Sequence, residues 1–144
     1  MSKRPPTEEE TVNALVVELR VLEQTYNEFT SRQNLLERAL LESRAALDAI
    51  KGLAEQPVKE ILTQIGGGAM LRSPTPSAEK VMVAVGSGVV IEKSRDEAVA
   101  LLEERSRDLE KSIVSLIGQR NEIAQRLNQD RQVLNSMLSQ NQQE

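Results

Sequence analysis

The sequence predicts an α+β protein: a long antiparallel coiled-coil helical hairpin carrying a small insert of two β-hairpins. Three observations point there. Residues 8–54 and 95–141 are free of Pro, rich in Leu, Glu, Arg and Gln, and similar in length. Both stretches space their seam positions alternately three and four apart. Residues 55–93, between them, hold three of the five Pro and five of the seven Gly.

In the first stretch the seam runs Val12, Leu15, Leu19, Leu22, Tyr26, Phe29, Gln33, Leu36, Leu40, Ser43, Leu47, Ile50 and Ala54. Sustained 3-4 spacing keeps one stripe of a helix turned toward a partner along a supercoil. Thr7 with Glu10 has the spacing of a capping box, with Pro6 just outside it. Pro57 sets the far limit, so the helix is expected to end near Gly52 to Gln56.

The last stretch repeats the pattern through Val99, Leu102, Ser106, Leu109, Ile113, Leu116, Arg120, Ile123, Leu127, Asp130, Leu134, Met137 and Asn141. Ser94 with Glu97 makes a second capping box. At 1.5 Å per residue each helix spans about 65–70 Å. A bare apolar stripe of that length is not stable alone in water, and two matched helices joined by a short segment fold back on each other. Gln33 and Arg120 fall at similar heights in such a hairpin. They are either a solvated weak point or a lock on register, in which mispairing strands a polar group.

The middle reads as four short strands: Ile61 to Ile65, Ala69 to Arg72, Lys80 to Val85 and Val89 to Lys93. Gly66-Gly67-Gly68 and Gly86-Ser87-Gly88 turn the chain within two hairpins, and Ser73-Pro74-Thr75-Pro76-Ser77 joins them. Gly86 and Gly88 also match the first two glycines of a dinucleotide-binding turn. The third position is Ile91, and a strand rather than a helix comes next, so the phosphate-cradle reading is set aside. Isolated hairpins are marginal and their open edges invite pairing. The insert is therefore expected to assemble, combining with hairpins of other subunits into a closed barrel. The domain limits are then 1–56 for the first helix, 57–93 for the assembly insert and 94–144 for the second helix.

Composition narrows the chemistry. The 144 residues include one Tyr, one Phe, and no Trp, Cys or His. Large aromatics dominate the burial in thick cores, so this chain is expected to lack one. Thiol nucleophiles, imidazole bases and the usual zinc sites are excluded, and no enzyme activity, cofactor or metal is expected. Eighteen Lys plus Arg against 22 Asp plus Glu give a net charge of −4, which offers no electrostatic footprint for nucleic acid. No apolar run is long enough for a bilayer, and the polar N-terminus does not read as a signal peptide. A soluble, cytoplasmic protein with no membrane or nucleic-acid partner is expected.

Two segments carry a more specific likeness. "IGGGAML" (65–71) and "VMVAVGSGVVIEKSRDEA" (81–98), set between two long heptad helices, resemble the alpha class of prefoldin, the GimC chaperone, in its archaeal form. The likeness covers nearly the whole chain, and the 39-residue insert (55–93) suits the two-hairpin class rather than the single-hairpin beta class. The resemblance implies a hexamer of two alpha and four beta subunits built on a double β-barrel. It implies an ATP-independent holdase whose coiled-coil ends grip non-native protein and pass it to a group II chaperonin. The subunit-assembly residues are then Ile61, Ile65, Val81, Val83, Val85, Val89 and Ile91. The client-binding ends are Val12, Leu15, Val16, Leu19, Val133, Leu134, Met137 and Leu138. Val17 and Val21 also lie off the seam near one end, but so do Leu35, Leu41, Leu101, Val114 and Ile117 elsewhere, so off-seam residues alone do not single out the ends. The competing reading is a coiled-coil scaffold or spacer that oligomerises through its insert.

Overall fold

The computed structural model describes residues 4–143. Six elements run in order: α1 (Glu8–Glu55), β1 (Glu60–Gly66), β2 (Ala69–Pro74), β3 (Lys80–Gly86), β4 (Val89–Ser94) and α2 (Arg95–Asn141). They fall into two compact units. One, the terminal unit, takes the chain up to Glu37 and from Lys111 onward; the other, Arg38–Glu110, contains the hairpins.

The helix limits have local causes. The backbone N–H of Thr7 donates to Glu10 Oε2 at 2.7 Å, and the N–H of Glu10 donates to Thr7 Oγ1 at 3.2 Å, closing the capping box reciprocally. At the other end Gln56 N–H closes the last turn on the Gly52 carbonyl at 2.9 Å, and Pro57 cannot continue it. β4 passes straight into α2, with Ser94 Oγ accepting from Glu97 N–H at 3.3 Å. Arg95 N–H donates to the Glu79 carbonyl at 2.9 Å, tying the start of α2 to the residue before β3.

The core is the seam. Leu19, Leu40, Leu47, Ile113, Leu116 and Leu127 are its buried apolar members, and Ser106 and Asp130 are buried with them. Among the described residues no large side chain is fully buried, as expected of a core one helix pair thick. The seam departs from its expected course at both ends. Ala54 is exposed and Leu53 is half-buried instead. A straight α-helix has 3.6 residues per turn, so where supercoiling stops the buried stripe drifts off the strict repeat, here toward the larger side chain. Asn141, the last residue of α2, is exposed; its amide is better hydrated than packed.

Within each unit the helices are laced by polar pairs of opposite chain direction. In the terminal unit Arg120 meets Gln33 and Arg131 meets Glu23. In the hairpin unit Arg44 pairs with Glu110, and Lys51 with Glu103 at 3.3 Å. All four residues of the latter two pairs are well exposed, so each pair contributes at most about 1 kcal/mol.

β1 pairs antiparallel with β2, placing Ile61 opposite Ser73 and Thr63 opposite Leu71. β3 pairs antiparallel with β4, placing Val81 opposite Lys93 and Val83 opposite Ile91. In the second turn Ser87 has φ 52° and Gly88 φ 76°, the left-handed pair of a two-residue primed turn that matches strand twist. Gly67 (φ 59°) and Gly68 (φ 79°) make the same turn in the first hairpin. The "GSG" loop is thus a chain reversal that leads into β4.

Candidate functional site

Apolar surface is exposed at the helix ends in the terminal unit, on the two hairpins in the other, and on the helix flanks at Leu35, Leu41 and Val114, each at least 65% exposed. Among the described residues no cluster of three or more His, Asp or Glu side chains could hold a metal ion. No helix there is long and apolar enough to cross a membrane.

At the helix ends the expected residues divide by heptad position. Leu19 is buried in the seam, and Val12, Leu15, Leu134 and Met137 are half-buried there. Val16, Val133 and Leu138 face solvent, Val133 being 49% exposed. The seam residues hold the pair of helices together, while the outward ones offer a surface. Val17 and Val21 lie outside the expected set, yet Val17 is 60% exposed and Val21 nearly as much. The sequence does carry a signal for them: Val16, Val17 and Val21 cluster within one and a half turns on the side of α1 away from its seam. Residues 132–141 add a further feature, since this stretch of α2 carries no charged side chain and is rich in Gln, Asn and Ser.

Close to these ends Glu18, Arg126 and Asp130 form one polar cluster. Arg126 donates from Nε to Glu18 Oε1 at 2.9 Å, and its Nε lies 3.3 Å from Asp130 Oδ1. Asp130 is a seam residue and only 6% exposed. Burial, then the charge of Glu18, push the Asp130 carboxyl above its ordinary value, with Arg126 opposing.

In the hairpins strand alternation decides which side is covered. Val83 is 6% exposed and covered within its own chain, while Ile61, Val81 and Ile91 are half-buried. The Arg105 guanidinium on α2 donates to the Ala84 carbonyl at 2.7 Å, which holds the middle of β3 against that helix. Of the expected assembly residues, Ile65, Val85 and Val89 are open to solvent. So are Leu62, Met70, Leu71, Met82 and Val90, which sequence reasoning does not select; Met82 is 64% exposed. Each sheet has two strands only, so every strand also keeps one unpaired edge.

Comparison with known proteins bears on this arrangement. The family model described as "Prefoldin subunit" matches residues 22–144. The chain belongs to the prefoldin family. Its relatives include the prefoldin subunit alpha of Nitrosopumilus maritimus, 29% identical over 130 residues that cover 90% of each chain. The prefoldin subunit alpha of Methanoregula boonei is 38% identical over 108 residues, covering 70% of this chain and 71% of its own. These matches place the chain with the archaeal-type alpha class of prefoldin. Among solved structures it is similar to filamentous PFD from Methanocaldococcus jannaschii, with a TM-score of 0.65 at 19% identity, covering 77% of this chain and 93% of that one. The prefoldin beta subunit of a Thermococcus strain gives a TM-score of 0.62 at 20% identity, covering 94% and 96%. At those identities the likeness concerns the fold: two long helices with small antiparallel hairpins between them. The prefoldin match begins after Val12, Leu15, Val16 and Leu19, whereas Val133, Leu134, Met137 and Leu138 lie inside it.

Proposed function

We propose that the chain is the alpha-class subunit of an ATP-independent holdase. Its helix ends capture unfolded protein, and its hairpins join two alpha and four beta subunits into a hexamer. Captured protein is handed to a group II chaperonin in the cytoplasm. The observation that carries this reading is the pairing of prefoldin membership with outward apolar side chains where α1 begins and α2 ends: Val16, Val17, Val21, Val133 and Leu138. Such patches often mark binding surfaces, and the flexible Met137 suits irregular partners.

The hairpins support the assembly half. Leu62, Met70, Leu71, Met82 and Val90 are apolar, open to solvent, and carried on strands with unpaired edges. Side-by-side pairing with other hairpins removes both liabilities at once. Several weak grips around one cavity gain by effective concentration, so no single site has to bind tightly and release needs no chemical step.

Deleting residues 1–18 and 132–144 from the chain, purified with a beta-class partner, tests the capture half. Suppression of aggregation of a denatured client is expected to disappear while the native mass of the complex stays that of a hexamer less the deleted segments. Undiminished protection sinks the capture reading. A wild-type chain that never protects a client in the assembled state favours the scaffold reading instead.

A further inference from the structure

A carboxylate occupies a seam position in the terminal unit where the repeat calls for an apolar side chain. Asp130 follows Leu127 and precedes Leu134 in the 3-4 spacing and is 6% exposed. Its Oδ1 has Arg126 at 3.3 Å, but its Oδ2 is buried with no hydrogen-bond partner. Arg126 cannot attend to it alone, because the same guanidinium reaches Glu18 Oε1 on α1 at 2.8 Å. Two carboxylates share one cation, and Arg131, the next cation along α2, is engaged by Glu23 at 2.7 Å. A half-satisfied buried charge is worse for packing than an apolar residue of similar size.

The surroundings change at this layer. Toward the middle of the helices the seam continues with Leu22, Tyr26 and Leu127 and is laced by the Arg120–Gln33 pair, while Arg126–Glu18 and Arg131–Glu23 bracket the Asp130 layer itself. Toward the chain termini it continues with Val12, Leu15, Leu134 and Met137. Among the described residues no cross-helix ion pair lies closer to the termini than Glu18 on α1 or Arg131 on α2. The final stretch of α2 is also uncharged. We propose that the Asp130 layer is a built break in the seam, which lets the two helix ends part as a separate segment and opens Val12, Leu15, Leu134 and Met137 to unfolded protein. The use made of the opening rests on the capture reading; the opening itself does not.

Hydrogen–deuterium exchange on the full chain tests the break without any client. Asp130→Leu is expected to slow exchange of amides in residues 9–19 and 131–141 by about tenfold, leaving 22–50 and 99–126 unchanged. Asp130→Asn, which removes the charge but keeps a polar group in the seam, is expected to slow the same amides by a smaller factor, about threefold. No slowing at the helix ends, or equal slowing along both helices, overturns the break. Protection of a denatured client by the assembled Asp130→Leu chain is then expected to fall several-fold. Full protection by a variant whose ends are demonstrably stiffer overturns the functional use of the opening. Truncation of residues 1–18 and 132–144 tests capture separately, so failure of one reading is distinguishable from failure of the other.

Discussion

Arg120 reaches across the seam to donate a 2.6 Å hydrogen bond to Gln33 Oε1, and its guanidinium lies 5.8 Å from the centroid of the Tyr26 ring. Gln33 in turn donates to Glu37 Oε1 at 2.8 Å, so the layer is a chain of Arg, amide and carboxylate rather than a lone pair. Arg120 Nε is buried without a hydrogen-bond partner, so the layer is specific without being fully satisfied. Of the two readings open at the sequence level, this geometry favours the lock on register. A shift of one heptad would leave the guanidinium against apolar neighbours.

Gln33→Leu is expected to destabilise the chain by about 1–3 kcal/mol, because it leaves a partly buried guanidinium without its acceptor. The double variant Gln33→Leu, Arg120→Leu should recover most of that loss and become less particular about register. Disulfide cross-linking between engineered Cys pairs in the native and the one-heptad-shifted alignment measures it. A double variant that still yields only native cross-links overturns the lock.

The second turn is open to improvement. Ser87 adopts φ 52° in a position that Asn or Gly occupies at lower cost. Ser87→Asn is expected to stabilise the hairpin by about 0.5–1 kcal/mol, and Ser87→Val to destabilise it by a similar or larger amount. Gly86, at φ 117°, tolerates no side chain without strain, so Gly86→Val should disturb pairing of β3 with β4 more than either change at Ser87. Thermal unfolding of the three variants gives the order, and an Asn variant less stable than wild type contradicts it.

Thr7→Ala removes the hydroxyl that accepts from Glu10 N–H and leaves an orphan donor in the first turn of α1. A cost of about 1 kcal/mol is expected, felt as faster amide exchange confined to the first turn or two. A loss of protection spread through the whole of α1 would be inconsistent with a local cap.

The seam and both hairpins are legible from spacing alone because each rests on a local period. Leu19, Leu40, Leu47, Ile113, Leu116 and Leu127 are buried where the repeat puts them. Two kinds of information are not local. Alternation along β3 says that Val81 and Val83 share a face, and that Met82 takes the other, but not which face is covered; the burial of Val83 beside an exposed Met82 decides that. The outward residues Leu62, Met82 and Val90 escape a sequence-based selection for this reason. The seam likewise shows a carboxylate at position 130, but the shared Arg126 and the orphaned oxygen depend on how the two helices meet.

That same cluster makes a prediction about pH. The groups facing Asp130 are Glu18 from α1 and Arg126 from its own helix, and the balance raises its pKa above the ordinary 3.8. A carboxyl raised in the folded state binds its proton more tightly there than in the unfolded chain. Its folding contribution is therefore full below the unfolded value near 3.8 and is lost as pH rises through the folded one. The wild-type chain is expected to lose stability relative to Asp130→Asn on going from acid toward neutral pH, so the variant's advantage is largest near neutrality and shrinks on acidification. Denaturant midpoints of the two chains, measured side by side across that range, isolate this slope from the other carboxylates. An advantage that grows on acidification would mean that the Arg126 contact outweighs burial and Glu18, and that Asp130 strengthens the seam instead of breaking it.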